Sequence, residues 1–301
     1  MLFDISNACI EELHDDLFVQ KQVTVSVLRL DKIHPLVSGN KIFKLHYFLD
    51  EALQSAHKTI LTFGGAFSNH LAATAFACKF LQLKSIGIVR GERPEQLSAT
   101  LLKCIDGMEL KFISRRDYDT KEDTAFMNGL RNEFGDCIIV PEGGYHSLGA
   151  KGAALIFDLL KDKNYTHICM AIGTATTLAG ILIAANPEQY VIGVPVLKGI
   201  TDIPERVKQL TGIQHPFKNL LILNDYHFGG YAKSTNILTE FMNHYWLQLR
   251  LPLDFVYTAK MLYGITDSIK KDKFKKGSKI ICLHTGGLQG NKSLPLNTLL
   301  F

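Results

Sequence analysis

The order of hydrophobic and polar positions predicts strands that alternate with helices along the whole chain. After Lys41, apolar residues recur at the spacing of one helix face, at Ile42, Leu45, Phe48, Leu49, Ala52 and Leu53. Elsewhere, short apolar runs of strand length are followed by turn residues and then by another helical pattern. Such an alternation is typical of parallel sheets covered by helices on both faces, so the predicted fold class is α/β.

The pattern also gives approximate bounds for these elements. The first 20 residues predict a short acidic helix or arm. The strands are predicted at 23–30, 59–63, 85–89, 109–113, 137–140, 167–172, 190–195, 219–223 and 278–284. The helices are predicted from 41, and at 71–80, 98–106, 120–134, 149–161, 177–185, 203–210, 236–248 and 258–271. We expect a small domain, 47–140, to be inserted into a large domain made of 1–46 and 141–301.

Composition narrows the class of protein. The chain has 301 residues, of which 47% are hydrophobic and 21% charged, enough for one large or two modest domains. The net charge of +4 is spread along the chain, and the lysine cluster at 270–276 lacks interleaved aromatic residues, so we expect no nucleic-acid partner. The uncharged run 168–185 is long enough for a bilayer, but Gly173 and the threonines after it favour a buried strand, a turn and a buried helix.

The cysteines predict neither a disulfide frame nor a metal site. All six are scattered, with no C-x-x-C pair and no nearby histidine spacing. They are typical of small core residues in a reducing compartment, so we expect a cytoplasmic protein. The acidic residues of the first 16 positions argue against a signal peptide.

Lys41 is the first candidate for chemistry, because it begins the predicted helix that follows Ser38-Gly39-Asn40. The helix dipole and the unpaired first-turn amides disfavour an ammonium there, whereas a neutral amine suits Schiff-base chemistry. A lysine near a helix start is more often a solvated surface group. Only the residues downstream favour the catalytic interpretation.

Ligands of parallel sheets gather where strands end, and several strand ends are chemically suggestive. Gly173-Thr174-Ala175-Thr176-Thr177 joins a buried strand to a buried helix, which fits either a phosphate site or an ordinary capped turn. Ser68-Asn69-His70 fits either a carboxylate site or an ordinary helix cap. Tyr257-Thr258 and His284-Thr285 are routine strand ends when taken alone. Dinucleotide, P-loop, H-E-x-x-H and G-x-S-x-G motifs are absent.

Taken together, S-G-N-K, G-G-A-F-S-N-H, the Gly/Thr turn, Y-T-x-K and H-T-G-G resemble one family in their order. This is the 1-aminocyclopropane-1-carboxylate (ACC) deaminase and D-cysteine desulfhydrase family of pyridoxal-phosphate enzymes. The resemblance runs from about Val23 to Gly290 and implies a tryptophan-synthase-β-like fold with the cofactor between a large and a small domain. It also implies a small amino-acid substrate and a homodimer.

The same resemblance assigns roles to individual residues. Lys41 matches the Schiff-base lysine, and the turn of Gly173, Thr174, Ala175, Thr176 and Thr177 matches the phosphate loop. The loop of Ser68, Asn69 and His70 matches the one that binds the substrate carboxylate and the cofactor hydroxyl. Tyr231 and Tyr257 match two active-site tyrosines.

Two further positions help to separate the chemistries of the family. ACC deaminases resemble one another in a glutamate beside the pyridine nitrogen, where this chain has Thr258, and in a leucine where it has Thr285. Both threonines favour β-elimination, with D-cysteine giving pyruvate, sulfide and ammonia after Lys41 or a tyrosine removes the Cα proton. The alternatives are ACC ring opening to 2-oxobutyrate and ammonia, and a non-catalytic member that only binds cofactor or amino acid.

The chain also departs from the pattern of the family. Phe43 stands where an arginine is usual, Ala175 and Thr176 replace glycines of the phosphate loop, and Ala259 replaces the glycine after Tyr-Thr. Because each added Cβ crowds the cofactor, these replacements are expected to reduce affinity or turnover.

Overall fold

The computed structural model describes residues 1–34, 37, 39–160 and 164–301. Ser38 of the S-G-N-K motif therefore lies outside the described residues. The strands are β1 (Cys9–Glu12), β2 (Thr24–Arg29), β3 (Thr59–Gly64), β4 (Lys84–Arg90), β5 (Glu109–Ile113), β6 (Ile138–Val140), β7 (His167–Ile172), β8 (Tyr190–Pro195), β9 (Leu220–Ile222) and β10 (Lys279–His284). The helices are α1 (Asp16–Gln20), α2 (Lys41–Gln54), α3 (Asn69–Phe80), α4 (Ala99–Cys104), α5 (Arg115–Asp119), α6 (Thr124–Phe134), α7 (Ser147–Ala154), α8 (Thr176–Ala184), α9 (Ile203–Thr211), α10 (Asn236–Leu249) and α11 (Thr258–Lys270).

The larger sheet has six strands in the order β1-β2-β10-β7-β8-β9. All its neighbours are parallel except β1 and β2, which pair antiparallel at one edge. Along β10, Ile281 and Leu283 belong to one buried apolar cluster, whereas Ile280 and Cys282 belong to another. Both faces of this sheet are therefore buried, which explains why its strands read as continuous apolar runs.

The smaller sheet has four parallel strands in the order β5-β4-β3-β6, all within 47–140. Its strand β3 is apolar on both faces, since Leu61 and Phe63 lie in one cluster and Ile60 in the cluster that extends to the larger sheet. The two sheets thus share part of their core. The division into a domain of 1–46 with 141–301 and an inserted domain of 47–140 stays a prediction.

Helix α2 lies where the two sheets meet, and Phe43 explains one departure of the sequence. The Phe43 side chain is fully buried in the shared core, where an unpaired guanidinium would be costly. Its backbone carbonyl touches α7, because a Cβ built on Gly152 would lie 2.0 Å from the Phe43 oxygen. The α2 start is therefore packed tightly, and we expect Lys41 to have a fixed position.

The N-terminal prediction was wrong in part. Residues 9–12 form strand β1, which pairs with the edge of β2 before the short helix α1. An edge strand needs only one partner and exposes one side, so its polar C-I-E-E sequence gave no apolar run. The predicted helix 120–134 begins later, as α6 at Thr124, and the short helix α5 before it was not predicted. The second half of the predicted helix 149–161 is a 3₁₀ helix at Leu155–Leu160.

The uncharged run 168–185 folds largely as β7, a turn and α8, as the sequence predicted. Over the described residues, no helix combines the length and the apolar character needed to cross a membrane.

Candidate active site

A cavity of about 780 Å³ opens at the carboxyl ends of strands from both sheets. It brings together nearly all the site residues predicted from the sequence. Its lining includes Lys41, Ser68, Asn69, His70, Gly173, Thr174, Ala175, Thr176, Thr177, Tyr231, Tyr257 and Thr285. Thr258 is the predicted site residue that does not line it. The chain therefore gathers at one place residues that are up to about 240 positions apart, as expected for parallel sheets.

Lys41 is tied to the turn before α8 through its neighbour in sequence. Its Nζ donates to Asn40 Oδ1 at 2.6 Å, and Asn40 Nδ2 donates to Thr177 Oγ1 at 2.7 Å. Gly39 allows the chain before Lys41 to lie against the end of β10, because a Cβ at its φ of +82° would lie 1.9 Å from the Thr285 carbonyl oxygen. The Lys41 amine is therefore fixed with respect to both α8 and the end of β10.

The environment of Lys41 favours a reactive amine. Burial lowers the pKa of Lys41 to about 8, although the negative charge of Asp254 acts in the opposite direction. The Lys41 Nζ lies 5.9 Å from the centre of the Tyr257 ring. The lowered pKa increases the neutral fraction of this lysine near neutral pH, and the neutral amine is the form that attacks a carbonyl group.

The turn between β7 and α8 has the features of an anion site. Ala175 precedes α8 with φ +65° and ψ 0°, and within the described residues no side chain caps this helix. The hydroxyls of Thr174 and Thr176 lie 2.9 Å apart and hydrogen-bond to each other. The first-turn amides of α8 and two hydroxyl groups are thus directed to the cavity end that a phosphate would occupy.

A second lysine lies beside this turn. Lys44 is buried, its Nζ donates to the Gly143 carbonyl at 3.2 Å, and a Cβ on Gly143 would lie 2.9 Å from Thr174 Cγ2. Burial, followed by the charge of Lys41, holds the pKa of Lys44 well below its usual value. An anion bound at α8 would restore the charged form of Lys44 by pairing with it.

The loop after β3 places Ser68, Asn69 and His70 on the opposite wall. Ser68 Oγ caps α3 by accepting the Leu71 amide at 3.2 Å, and its hydroxyl proton is still available to a ligand. Asn69 Oδ1 is buried with no hydrogen-bond partner among the described residues. A buried amide oxygen of this kind is satisfied when a bound group donates to it.

The His70 imidazole is held by Thr62 and is not suited to bind a carboxylate. Thr62 Oγ1 donates to the Val140 carbonyl at 2.8 Å, so it accepts from His70 Nε2 at 2.9 Å and leaves Nδ1 unprotonated. Burial and the charges of Lys41 and Lys44 lower the pKa of His70 to about 3, so the imidazole is neutral. Only the backbone amide of His70 is therefore suited to a carboxylate.

The two predicted tyrosines meet at the cavity. Tyr257 Oη donates to Tyr231 Oη at 3.4 Å, and the rings lie 6.1 Å apart in an edge-to-face arrangement. Burial, together with the nearby Tyr231, raises the pKa of Tyr257 well above its usual value. Tyr257 is therefore a proton donor at neutral pH and not a base, which leaves Lys41 as the better base.

Thr258 is held by a carboxylate that the sequence analysis missed. Thr258 is fully buried, and its hydroxyl donates to Asp254 Oδ2 at 2.6 Å. The Asp254 carboxylate also accepts the amides of Val256, Tyr257 and Thr258 at 2.7–3.0 Å. The amides at and just before the start of α11 are thus bound by a carboxylate of the chain itself.

Three functional candidates went unnoticed in the sequence: Asn40, Lys44 and Asp254. Asn40 and Lys44 flank Lys41 within one helical turn, so their spacing in the sequence was a usable signal. Asp254 lies before α11, outside the N-cap position, and its backbone-amide partners leave no trace in the sequence.

These features fit the cofactor implied by the resemblance. Lys41 would hold the aldehyde of pyridoxal phosphate, the α8 entrance and Lys44 its phosphate, and Asn69 a ring hydroxyl. Over the described residues, no group of three His, Cys, Asp or Glu side chains could hold a metal ion.

Solved structures share this fold. A crystal structure described as an ACC deaminase homologue matches with a TM-score of 0.79 and 26% identity, over 96% of this chain and 92% of that chain. A hydrogen sulfide-producing enzyme from Fusobacterium nucleatum matches with a TM-score of 0.69 over 96% of this chain and 97% of that chain. At 14% identity, the second likeness shows the fold alone.

Related sequences carry the same names as the predicted family. A mitochondrial protein of Arabidopsis thaliana named bifunctional D-cysteine desulfhydrase/ACC deaminase is 31% identical over 84% of this chain and 70% of its own length. A Pyrococcus abyssi protein with the provisional name ACC deaminase is 32% identical over 89% of this chain and 86% of its own length. The model of the pyridoxal-phosphate-dependent enzyme family matches residues 17–286. The resemblance and the α/β fold predicted from the sequence are therefore confirmed, and the chain belongs to the pyridoxal-phosphate-dependent enzyme family.

Proposed function

We propose that the chain eliminates the β-substituent of a small amino acid, with D-cysteine as the preferred substrate and pyruvate, sulfide and ammonia as products. The observation that carries this choice is the Thr285 side chain, which lines the cavity and is only 7% exposed. A hydroxyl there suits a polar, thiol-bearing substrate, whereas the resemblance associates ring opening with a leucine at this position. The names of the relatives support the same pair of activities.

Each residue of the site then has a task. The Ser68 hydroxyl and the first-turn amides of α3 bind the substrate carboxylate and orient its Cα–H bond. The amine of Lys41, with its lowered pKa, accepts the Cα proton, and Tyr257 keeps its own proton for the departing sulfur. Pyridoxal phosphate, when bound, supplies the electron sink for the pair left at Cα. Overall, cysteine and one water give pyruvate, ammonium and hydrogen sulfide.

Thr258 supports the same choice in a different way. Because its hydroxyl donates to Asp254, it is not free to donate elsewhere, and it carries no charge with which to hold a proton on a cofactor ring. A weaker electron sink is sufficient for a substrate with a good leaving group such as sulfide. Opening a cyclopropane ring requires a stronger one.

The second candidate function is ACC ring opening, which the name of the bifunctional relative favours. A third possibility is a member that binds cofactor without turnover. The purified protein, assayed with D-cysteine, L-cysteine and ACC for sulfide and for keto acids, separates the three. We expect pyruvate and sulfide from D-cysteine and little 2-oxobutyrate from ACC. Abundant 2-oxobutyrate without sulfide would reverse the choice, and cofactor absorbance without any product would identify a binding protein.

We propose further that the protein acts as a homodimer in the cytoplasm. The resemblance supports the dimer, and the free state of all six cysteines is compatible with a reducing compartment. Light scattering of the purified protein should give twice the 33.6 kDa mass of the chain, and a single-chain mass would contradict the dimer.

A further inference from the structure

The loop 225–233, which carries Tyr231, has an unusual backbone. Phe228, Gly229, Gly230 and Ala232 all have positive φ angles, of 49°, 89°, 115° and 51°. For the two residues with a side chain, this left-handed conformation is unfavourable, because Cβ comes too close to the following carbonyl oxygen. Strained backbone persists only where the surrounding structure holds it in place. The loop therefore requires an anchor.

Lys260 of α11 anchors this loop through hydrogen bonds. It is fully buried, and its Nζ donates to the carbonyl oxygens of His227 at 2.9 Å and Gly230 at 2.7 Å. Burial lowers the pKa of Lys260 to about 8, with Asp254 acting in the opposite direction. Both protonation states keep at least two N–H bonds, so both contacts survive a rise in pH. Lys260 lies outside the cavity lining.

Two further contacts join the loop to the same helix. Tyr226 Oη donates to Asp267 Oδ2 at 2.7 Å, and the Phe228 ring packs edge-to-face on Tyr263 at 4.9 Å. Lys260, Tyr263 and Asp267 are spaced by three and four positions, so they share one face of α11. The helix begins directly after Tyr257. Both tyrosines of the cavity are thus positioned by α11, because Tyr257 directly precedes this helix and the loop of Tyr231 is bound to it.

We infer that Lys260 is a positioning residue that fixes loop 225–233 and thereby sets Tyr231 against Tyr257 in the active site. The contact it maintains is the 3.4 Å approach of the two phenolic oxygens. Tyr231 is 53% exposed and has little packing of its own, so its position depends on the backbone that carries it. This role goes beyond the proposed reaction, because it concerns how the site is assembled.

Hydrogen exchange of the cofactor-free protein tests this role without reference to any reaction. The variant is Lys260→Met, which keeps the length and removes the donors, and the control is Lys270→Met at an exposed position of the same helix. The amides of Gly230 and Lys233 donate to the His227 and Gly230 carbonyls. We expect them to exchange at least tenfold faster in Lys260→Met, with β7 unchanged. Equal protection of the loop in both variants, or equal loss in β7, would overturn the inference.

Kinetics provide a second readout that a purely structural role would not give. In Lys260→Met, kcat should fall at least tenfold while KM and the cofactor absorbance stay within about twofold, because only the tyrosine pair is displaced. A fall in kcat that follows cofactor loss would contradict positioning. If Lys260→Met does not fold, Lys260→Gln replaces it, since the shorter amide cannot reach both carbonyls and should also speed exchange. If the native protein releases no sulfide, the exchange data alone decide, so failure of the proposed function remains distinguishable.

Discussion

Two helices begin at this cavity, and the chain treats their first turns in opposite ways. At α8, no side chain among the described residues caps the first turn, and Thr174, Thr176 and Thr177 line the cavity. At α11, the Asp254 carboxylate accepts three amides and the Thr258 hydroxyl. Both first turns favour an anion. The chain supplies that anion at α11 and leaves α8 open for a ligand, so we propose that the phosphate binds at α8.

Lys41 lies between the N-termini of α8 and α11. Asn40 links it to Thr177 of α8, and the Tyr257 ring beside it directly precedes α11. We expect Lys41→Ala to abolish the visible absorbance of the bound cofactor together with all turnover, because no other described amine has this position. Lys276→Ala, at an exposed lysine, should keep both. An absorbance band of full intensity in Lys41→Ala would refute the assignment of the amine.

A carboxylate introduced at the start of α8 should remove the difference between the two helices. Ala175→Asp places a carboxylate at the left-handed residue before this helix, where aspartate is better tolerated than most residues. The carboxylate should occupy the first-turn amides and repel phosphate, so cofactor affinity should fall by about 100-fold, or about 2.7 kcal/mol. Because the Ala175 side chain is buried, the new carboxylate should also lower the free energy of unfolding of the cofactor-free protein, so affinity is measured at a temperature where both variants are folded. Ala175→Ser is the uncharged control, and equal affinities for both variants would show that the phosphate binds elsewhere.

The reverse change removes the anion of α11. Asp254→Asn replaces an acceptor by a donor against buried amides, which should lower the free energy of unfolding by about 2 kcal/mol in urea titrations. Because Asp254 raises the pKa of Lys41, the variant should also have a Lys41 pKa below about 8. The rate at which cofactor-free protein captures pyridoxal phosphate should rise with pH as the amine loses its proton. The midpoint of that rise should lie at lower pH in Asp254→Asn.

The exposed Asp225 provides the control for that experiment. Asp225→Asn should change neither the stability nor the midpoint of the capture rate. If Asp254→Asn retained the native midpoint, the charge of Asp254 would not act on Lys41, and the α11 first turn would be purely structural.

The two helix N-termini also differ in how well the sequence predicted them. The uncapped start of α8 was predicted, because Gly173 to Thr177 directly follow an apolar strand and the signal is local. The role of Asp254 at the start of α11 was not predicted, since its partners are backbone amides, which nearly every residue possesses. The link from Asn40 to Thr177 spans 137 positions and depends on how α2 meets α8. The resemblance predicted Thr258 among the cofactor contacts, but its hydroxyl direction is set by Asp254.

The smallest expected effect concerns the backbone strain at Ala175, directly before α8. Ala175 holds φ +65° where glycine would be relaxed, and relief of this strain is worth roughly 1–2 kcal/mol. The Ala175 methyl group is buried, so its removal should cost about 0.8 kcal/mol of apolar contact. Ala175→Gly should therefore raise the free energy of unfolding by at most about 1 kcal/mol in urea titrations. Ala179→Gly, within the same helix, should instead destabilise by about 1 kcal/mol, since its backbone is helical. If both glycines destabilised equally, the left-handed turn would be unstrained, and the open helix entrance would impose no conformational cost on the chain.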